Sequence, residues 1–236
     1  MNCEIDVWLV DLSDEAVLAH DMALLSDSEQ TRFRRFISLR AGREFASTRI
    51  ALRRILGSRL GLAPEQVALS TRAGKPFIEG APRCCFNVTH ASGLAAIAVH
   101  EAIEVGVDLE HRGSFDNVAL LSQSVCSSLE RAWCKTDDAS TTYAERFARL
   151  WTGKEAALKA TSHGFAIPPN QIDLSTSAAS GGGRIELPSA LAPEPGVALL
   201  WQTLALPAGW HGAVAALAPL HCDQVVPRYR RCLPAW

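Results

Sequence analysis

The sequence predicts an α+β fold made of two similar α/β lobes related by a pseudo-twofold axis. Three observations carry this. The segment ALRRILGSRLGLAPEQVALST ends at Thr71, and ALKATSHGFAIPPNQIDLST ends at Thr176. They share Pro64/Pro169, Gln66/Gln171, Val67/Ile172, Leu69/Leu174, Ser70/Ser175 and Thr71/Thr176 at an offset of 105. With a one-residue gap, Arg53 then matches Lys159 and Arg49 matches Glu155. SGLAAIAV at 92–99 is echoed by HGAVAALA at 211–218. Each half therefore reads as a helix, a turn, a strand and a closing strand, with the helix on one face of a small sheet. The expected boundaries are 1–105 for the first lobe, 106–220 for the second and 221–236 for a loose tail. Ligands commonly bind where two such lobes meet.

The elements follow in order. EIDVWLV at 4–10 alternates as a strand does. Ser13-Asp14-Glu15 can cap a short helix, and Ser26-Asp27-Ser28-Glu29 opens another. From about Ala41 to Leu60 a long helix carries Phe45, Thr48, Leu52, Ile55 and Leu56 as its apolar stripe, with Gly57 or Gly61 as its end. Val67–Ser70 reads as a short strand, and Gly74-Lys75-Pro76 as a turn into an extended piece. Leu94–His100 and Val105–Glu110 read as buried strands joined by a tight turn. Residues 112–140 are polar and loosely helical. A central helix spans about Thr142 to Thr161, stopped by Gly164. Ile172–Leu174 reads as a strand and Ser177–Gly183 as a flexible loop; Arg184–Leu187, Val197–Leu204 and Ala213–Ala218 complete the strands.

Composition narrows the function. The 236-residue chain is long enough to bury a real core, and its net charge of −2 argues against a general nucleic-acid binder. Charge is nonetheless concentrated: nine arginines lie between Arg32 and Arg59, a density suited to a phosphate-bearing ligand or an acidic partner as well as to a solvated helix face. The seven cysteines form no CxxC pair and read as free thiols. No basic n-region opens the chain and no apolar run approaches the span of a membrane, so a cytoplasmic protein is expected.

The chemistry concentrates in FARLWTGKEAALK, residues 147–159. Trp151, Glu155 and Lys159 recur every fourth residue and share one side of the helix, beside an apolar stripe. That pattern fits a solvated Glu–Lys pair, and it equally fits ionised groups held where partners must pair with them. On the strand Gly106-Val107-Asp108-Leu109-Glu110, Asp108 and Glu110 point the same way while Val107 and Leu109 point inward. Two like charges on one face fit a wet strand end or a cation site. With Glu155 they make an all-oxygen set that suits Mg²⁺ or Mn²⁺. His90, closing Asn87-Val88-Thr89-His90, is either a structural histidine or part of an anion site.

Gly74-Lys75-Pro76, then FNVTH at 86–90, GVDLE at 106–110 and W-x-x-K-E-A-x-x-K at 151–159 form an ordered set that resembles the 4′-phosphopantetheinyl transferases. The match is to their monomeric, two-lobed, surfactin-synthetase-activating type, and it implies that fold. The resemblance implies transfer of phosphopantetheine from coenzyme A to a serine of an acyl or peptidyl carrier protein, with release of 3′,5′-ADP. It implies Asp108, Glu110 and Glu155 as Mg²⁺ ligands, and Glu155 also as the base for the serine. Lys159 would neutralise the pyrophosphate, His90 with Thr89 and Asn87 would bind phosphate, and Gly74, Lys75 and Pro76 would line the adenine side. Arg40, Arg43 and Arg32 would stand near the 3′-phosphate. Two departures stand out: Thr89 replaces the usual serine, and Glu29 stands where some relatives have lysine. Residues 112–135 are the expected carrier-docking surface, with Arg112 and Arg131 for charge and Val118, Leu120 and Leu121 for apolar contact. The competing readings are an inert relative that binds coenzyme A or a carrier, and a metal-dependent hydrolase of nucleotide pyrophosphates.

Overall fold

The computed structural model describes residues 1–13, 21–72, 74–81, 83–115, 117–136, 141–161, 168–185, 187 and 196–230. The expected cap at Asp14-Glu15 and the helix stop at Gly164 lie outside these residues. The fold is α+β. One sheet has the order β10-β1-β5-β4, from Gln224–Arg230, Asn2–Asp11, Leu94–His100 and Cys85–Ala91. The other has the order β6-β9-β8-β7, from Val105–His111, Trp210–Pro219, Val197–Thr203 and Gly182–Ile185. A hairpin of β2 (Leu69–Arg72) and β3 (Lys75–Ile78) stands apart. The helices are α1 (Asp27–Arg34), α2 (Leu39–Leu60), α3 (Val118–Val125), α4 (Ser128–Cys134) and α5 (Tyr143–Thr161).

Strand alternation sorts the side chains into layers. On β5, Ala96 and Ala98 face the other sheet, while Ile97 and Val99 face α2 with Leu52, Ile55 and Leu56. On β9, Val214, Ala216 and Ala218 face the first sheet, while Ala213 and Ala215 face α5 with Phe147 and Leu150. Helix, sheet, sheet and helix thus stack in turn, and alanines line much of the contact between the sheets. All five residues of the expected α2 stripe are buried, and the helix ends at Gly61 in the left-handed conformation, φ 66°.

The repeat is visible atom by atom. Ser26 and Glu29 form a capping box on α1, and Ser127 and Glu130 form another on α4. Glu29 is held by Arg53 of α2, whose Nη1 donates to the carbonyls of Pro64 (3.2 Å) and Val67 (3.0 Å). Glu130 is held by Lys154 of α5, whose Nζ donates to the carbonyls of Pro169 (2.9 Å) and Ile172. Arg53 is therefore the counterpart of Lys154. This corrects the alignment read from the sequence, which matched Arg53 with Lys159 and Arg49 with Glu155. The turn between helix and strand is longer in the second half, and only the shared partners reveal the register.

Three other expectations change. The end of the chain is not loose from Gln224 to Arg230, because β10 pairs in parallel with β1, from Asn2↔Gln224 to Trp8↔Arg230. Ile172–Leu174 does not extend as a strand; its carbonyl at Ile172 and amide at Leu174 are spent on Lys154 and Glu130. The Ser177–Gly183 stretch ends inside β7, and Ser177 Oγ accepts from the buried Trp201 indole at 2.9 Å. The six described cysteines are free, as expected, and burial pushes Cys3 up to about 11 and Cys126 to about 12, so their thiols are inert.

Helix α5 lies directly on β6. A Cβ at Gly106 would sit 2.0 Å from the Ala156 carbonyl oxygen and 2.5 Å from the Ala160 nitrogen. Both are backbone atoms and cannot step aside. Gly106→Ala is expected to cost roughly 1–3 kcal/mol in unfolding free energy, the range for overpacking, measured by urea denaturation. Unchanged stability would mean that α5 does not press on β6 as described.

Candidate active site

The site is built where the edge of β4 meets β6. Asn87, buried on β4, accepts the Val107 N–H on its Oδ1 at 3.0 Å. That bond joins the two sheets across the seam and sets the height of β6. Val105, Val107 and Leu109 turn into the core between the sheets, so Gly106, Asp108 and Glu110 face the other way, toward α5.

Asp108 is the centre. It is buried, and Lys159 Nζ donates to its Oδ1 at 2.6 Å and to the Val107 carbonyl at 3.2 Å. Thr89 Oγ1, from β4, donates to the same Oδ1 at 3.2 Å. The second oxygen, Oδ2, is enclosed and has no hydrogen-bond partner among the described residues. Burial pushes the Asp108 carboxyl above its ordinary range, even against the pull of Lys159 and Thr89. Glu110 is raised first by burial and then by the Asp108 charge, while Ser114 and the Trp151 indole lower it. The Trp151 N–H lies near Glu110 yet is buried without a hydrogen bond of good geometry. Glu155 is raised by burial, then by Asp108, with a further push from Glu110 and relief from Lys159. The three carboxylates therefore share one field, balanced by one ammonium. Among the described residues, no three acidic, histidine or cysteine groups stand close enough to hold a metal as the side chains lie.

Across the seam stands His90 on β4. Its side chain is exposed at the seam; desolvation lowers its pKa, Glu44 raises it, and Lys159 and Arg32 lower it further. Ser92-Gly93, with φ of 44° and 91°, makes the tight two-residue turn beside it. Arg40 is exposed on α2 and pairs with Glu44 at 2.9 Å. Arg43 sits half-buried one turn from Ser47. Arg32 stacks over Phe45 at 4.7 Å. Gly74 is exposed with φ 83°, and Pro76 lies in β3. Lys75 donates to the carbonyls of Lys159 (3.0 Å) and Val105 (3.3 Å) and pairs with Glu104 (2.5 Å). It thereby caps the end of α5 as a cation should.

Sequence reasoning overlooked Glu44, which faces His90, and the reason for Gly106. A glycine in mid-strand is itself a signal of close backbone approach. Of the three apolar residues expected on the docking surface, only Leu120 is strongly exposed (61%); Val118 and Leu121 pack against the α5 core, and Leu129 (63%) joins Leu120 at the surface. Cavities of about 630 and 490 Å³ lie around Arg59, His100 and Glu101, at the opposite end of α2 from Arg40, and none of the site residues lines them.

The family model for the 4′-phosphopantetheinyl transferase superfamily matches residues 104–194, which include β6 and α5. The 4′-phosphopantetheinyl transferase HetI of Nostoc is 32% identical over 173 residues, 70% of this chain and 72% of HetI. The chain belongs to the 4′-phosphopantetheinyl transferases. The Bacillus subtilis 4′-phosphopantetheinyl transferase is 26% identical over 208 residues, 86% of this chain and 87% of that one. An Eremothecium gossypii relative, the L-aminoadipate-semialdehyde dehydrogenase-phosphopantetheinyl transferase, is 32% identical over 161 residues, 66% of this chain and 57% of its own. The protein is thus an enzyme of carrier-protein modification. No helix among the described residues is long and apolar enough to cross a membrane.

The field of the three acids has a measurable sign. A carboxyl raised in the folded state holds its proton where the unfolded chain has lost it, so stability falls as pH rises through that interval. Glu155→Gln removes one charge from the cluster. Without divalent cations at pH 8, it is expected to raise the melting temperature by about 2–4 °C, the shift that about 1 kcal/mol causes in a chain of this size. The gain should vanish near pH 4, where the wild-type group is itself protonated. A loss of stability at pH 8 would mean that Glu155 is not repelled by Asp108 and Glu110.

Proposed function

We propose that this enzyme transfers the 4′-phosphopantetheine arm of coenzyme A to a serine hydroxyl of an acyl or peptidyl carrier protein and releases 3′,5′-ADP. The supporting observation is the crowding of Asp108, Glu110 and Glu155 around one lysine, on the seam opposite His90 and the arginines of α1 and α2. In this reading the serine oxygen attacks the phosphorus that bears the pantetheine arm. The new bond is serine O–P, the broken one is the P–O of the pyrophosphate, and the departing pair leaves on 3′,5′-ADP. Glu155 takes the serine proton as the general base. Lys159 neutralises the pyrophosphate and steadies the leaving oxygen.

The donor chemistry of these residues suits a divalent cation. The donors are hard carboxylate oxygens, and Asp108 Oδ2 is enclosed with no partner among the described residues. Asp108, Glu110 and Glu155 would hold Mg²⁺ or Mn²⁺, which when bound supplies charge neutralisation to the pyrophosphate oxygens. Lys159 Nζ sits on Asp108 Oδ1, which leaves Oδ2 as the donor the cation would take. His90 and Thr89 contribute to the phosphate site, with Asn87 fixing the strand behind them. Arg40, Arg43 and Arg32 receive the 3′-phosphate. Gly74, Lys75 and Pro76 line the adenine side, Lys75 with its ammonium already tied to the end of α5.

We read the chain as two lobes, 1–105 and 106–220, with β10 of the terminal segment returned to the first. One copy of the chain contains both lobes and works as a monomer in the cytoplasm. The carrier docks on α3 and α4, where Leu120 and Leu129 are exposed.

The test is incubation of an apo-carrier with coenzyme A and Mg²⁺. Wild-type protein should add about 340 Da to the carrier, and Glu155→Gln or Asp108→Ala should add nothing while remaining folded. Binding of coenzyme A with no mass change on any carrier would make this an inert relative. Release of nucleotide without a carrier would make it a hydrolase. Leu120→Asp is expected to raise the carrier KM about tenfold and leave the coenzyme A KM unchanged, as for an apolar contact at an interface centre.

A further inference from the structure

The two halves hold similar buried locks beside different groups, and in the first half Glu29 has a second partner in Arg49. Lys154 of α5 and Glu130 of α4 are 1% and 0% exposed. Lys154 Nζ spends its donors on Glu130 (2.8 Å), Pro169 (2.9 Å) and Ile172. Glu130 accepts in turn from the amides of Ser127 (2.7 Å) and Leu174 (2.8 Å). The network pins α4 and the 168–174 turn to α5, one residue before Glu155. Arg53 of α2 and Glu29 of α1 are 4% and 7% exposed and 2.8 Å apart. That network pins α1 and the 64–67 turn to α2. It thereby joins the helix that carries Arg32 to the helix that carries Arg40 and Arg43.

We infer that these are two positioning locks, one for each function of the site: Glu130–Lys154 sets the acids for the chemical step, and Glu29–Arg53 sets the arginines for coenzyme A. The inference rests on the assignment of acids and arginines proposed above. Neither pair touches a reacting atom. A buried charge pair is weak evidence for stability, since an apolar pair of equal volume packs as well, but it permits few alternative registers. Small displacements of catalytic groups cost rate steeply. Loss of the second lock should therefore slow turnover, and loss of the first should weaken donor binding.

The experiment compares Lys154→Met with Arg53→Met, each against its charge-keeping control, Lys154→Arg and Arg53→Lys. Lys154→Met is expected to lower kcat about tenfold or more with the coenzyme A KM within about twofold of wild type. Arg53→Met is expected to do the reverse, raising KM about tenfold at nearly unchanged kcat. Lys154→Arg should restore turnover, because the other half already runs this lock with arginine. If Lys154→Met does not fold, Glu130→Gln/Lys154→Met removes both charges, keeps an amide oxygen for the backbone donors, and should show the same kcat defect. Hydrogen exchange gives a readout free of activity: Lys154→Met should loosen α5 and β6 amides and leave α1 unchanged, and Arg53→Met the converse. The same kcat and KM changes in both variants, or loosening spread evenly through the chain, would overturn the inference. If wild-type protein modifies no carrier, the functional reading fails, and the exchange pattern still decides the locks.

Discussion

The contact on which the rest depends is the seating of α5 against β6 at Gly106. A helix one side chain further out would leave Asp108 and Glu110 on a wet face with ordinary acidity. Pressed down, it covers them, and its own Glu155 and Lys159 arrive in the same enclosed space. Burial is the largest cause of the raised pKa in all three acids. Enclosure makes the carboxylates costly to ionise and, for the same reason, strong in their pull on a cation. The glycine, the acids and the lysine are one device.

The two halves share a frame of helix, lock and paired strands, and they differ around the candidate site. Equivalent strands carry equivalent positions: Asp11 pairs with Leu94 as Asp108 pairs with Ala213, each one residue beyond the matching Gly93 and Gly212. Yet Asp11 is exposed, and the residue after the lock is Arg54, engaged with Asp21 at 2.6 Å, where the second half has Glu155. The edges differ too. The outer edge of β1 is covered by β10, whereas the outer edge of β6 meets β4 and the Asn87 amide. One seam is closed by backbone pairing and the other is left for side chains.

Much of this was legible in sequence because it is local. Period and alternation placed α2, α5, β5 and β6 within a few residues, and Asp108 and Glu110 were put on one face by strand geometry alone. What escaped was set by partners distant in sequence. The register between halves turned on which cation reaches which carbonyl, and Arg53 matched Lys159 by letter while it matches Lys154 by contact. The strand at Gln224–Arg230 has a proline and exposed arginines, which read as loose; its pairing partner is β1, more than two hundred residues away. Edge strands carry just such residues, so their sequence resembles a tail.

The charge count at the site makes a last point. Three carboxylates face one ammonium, and that ammonium is placed on the most buried of them, where its attraction is least screened. The Lys159 carbonyl is itself anchored by Lys75, so the helix end cannot drift even when the side chain swings. A lysine suits this post better than an arginine. In the reaction proposed above its single nitrogen would exchange one carboxylate oxygen for a phosphate oxygen by rotation about its stem, whereas a guanidinium fork bound bidentately would have to break two bonds at once. The same logic runs opposite at Lys154, whose nitrogen is saturated by a carboxylate and two carbonyls and has nowhere to go. Two lysines five residues apart on one helix thus differ in their surroundings: Lys154 has a carboxylate and two carbonyls as acceptors, and Lys159 has one carboxylate and one carbonyl.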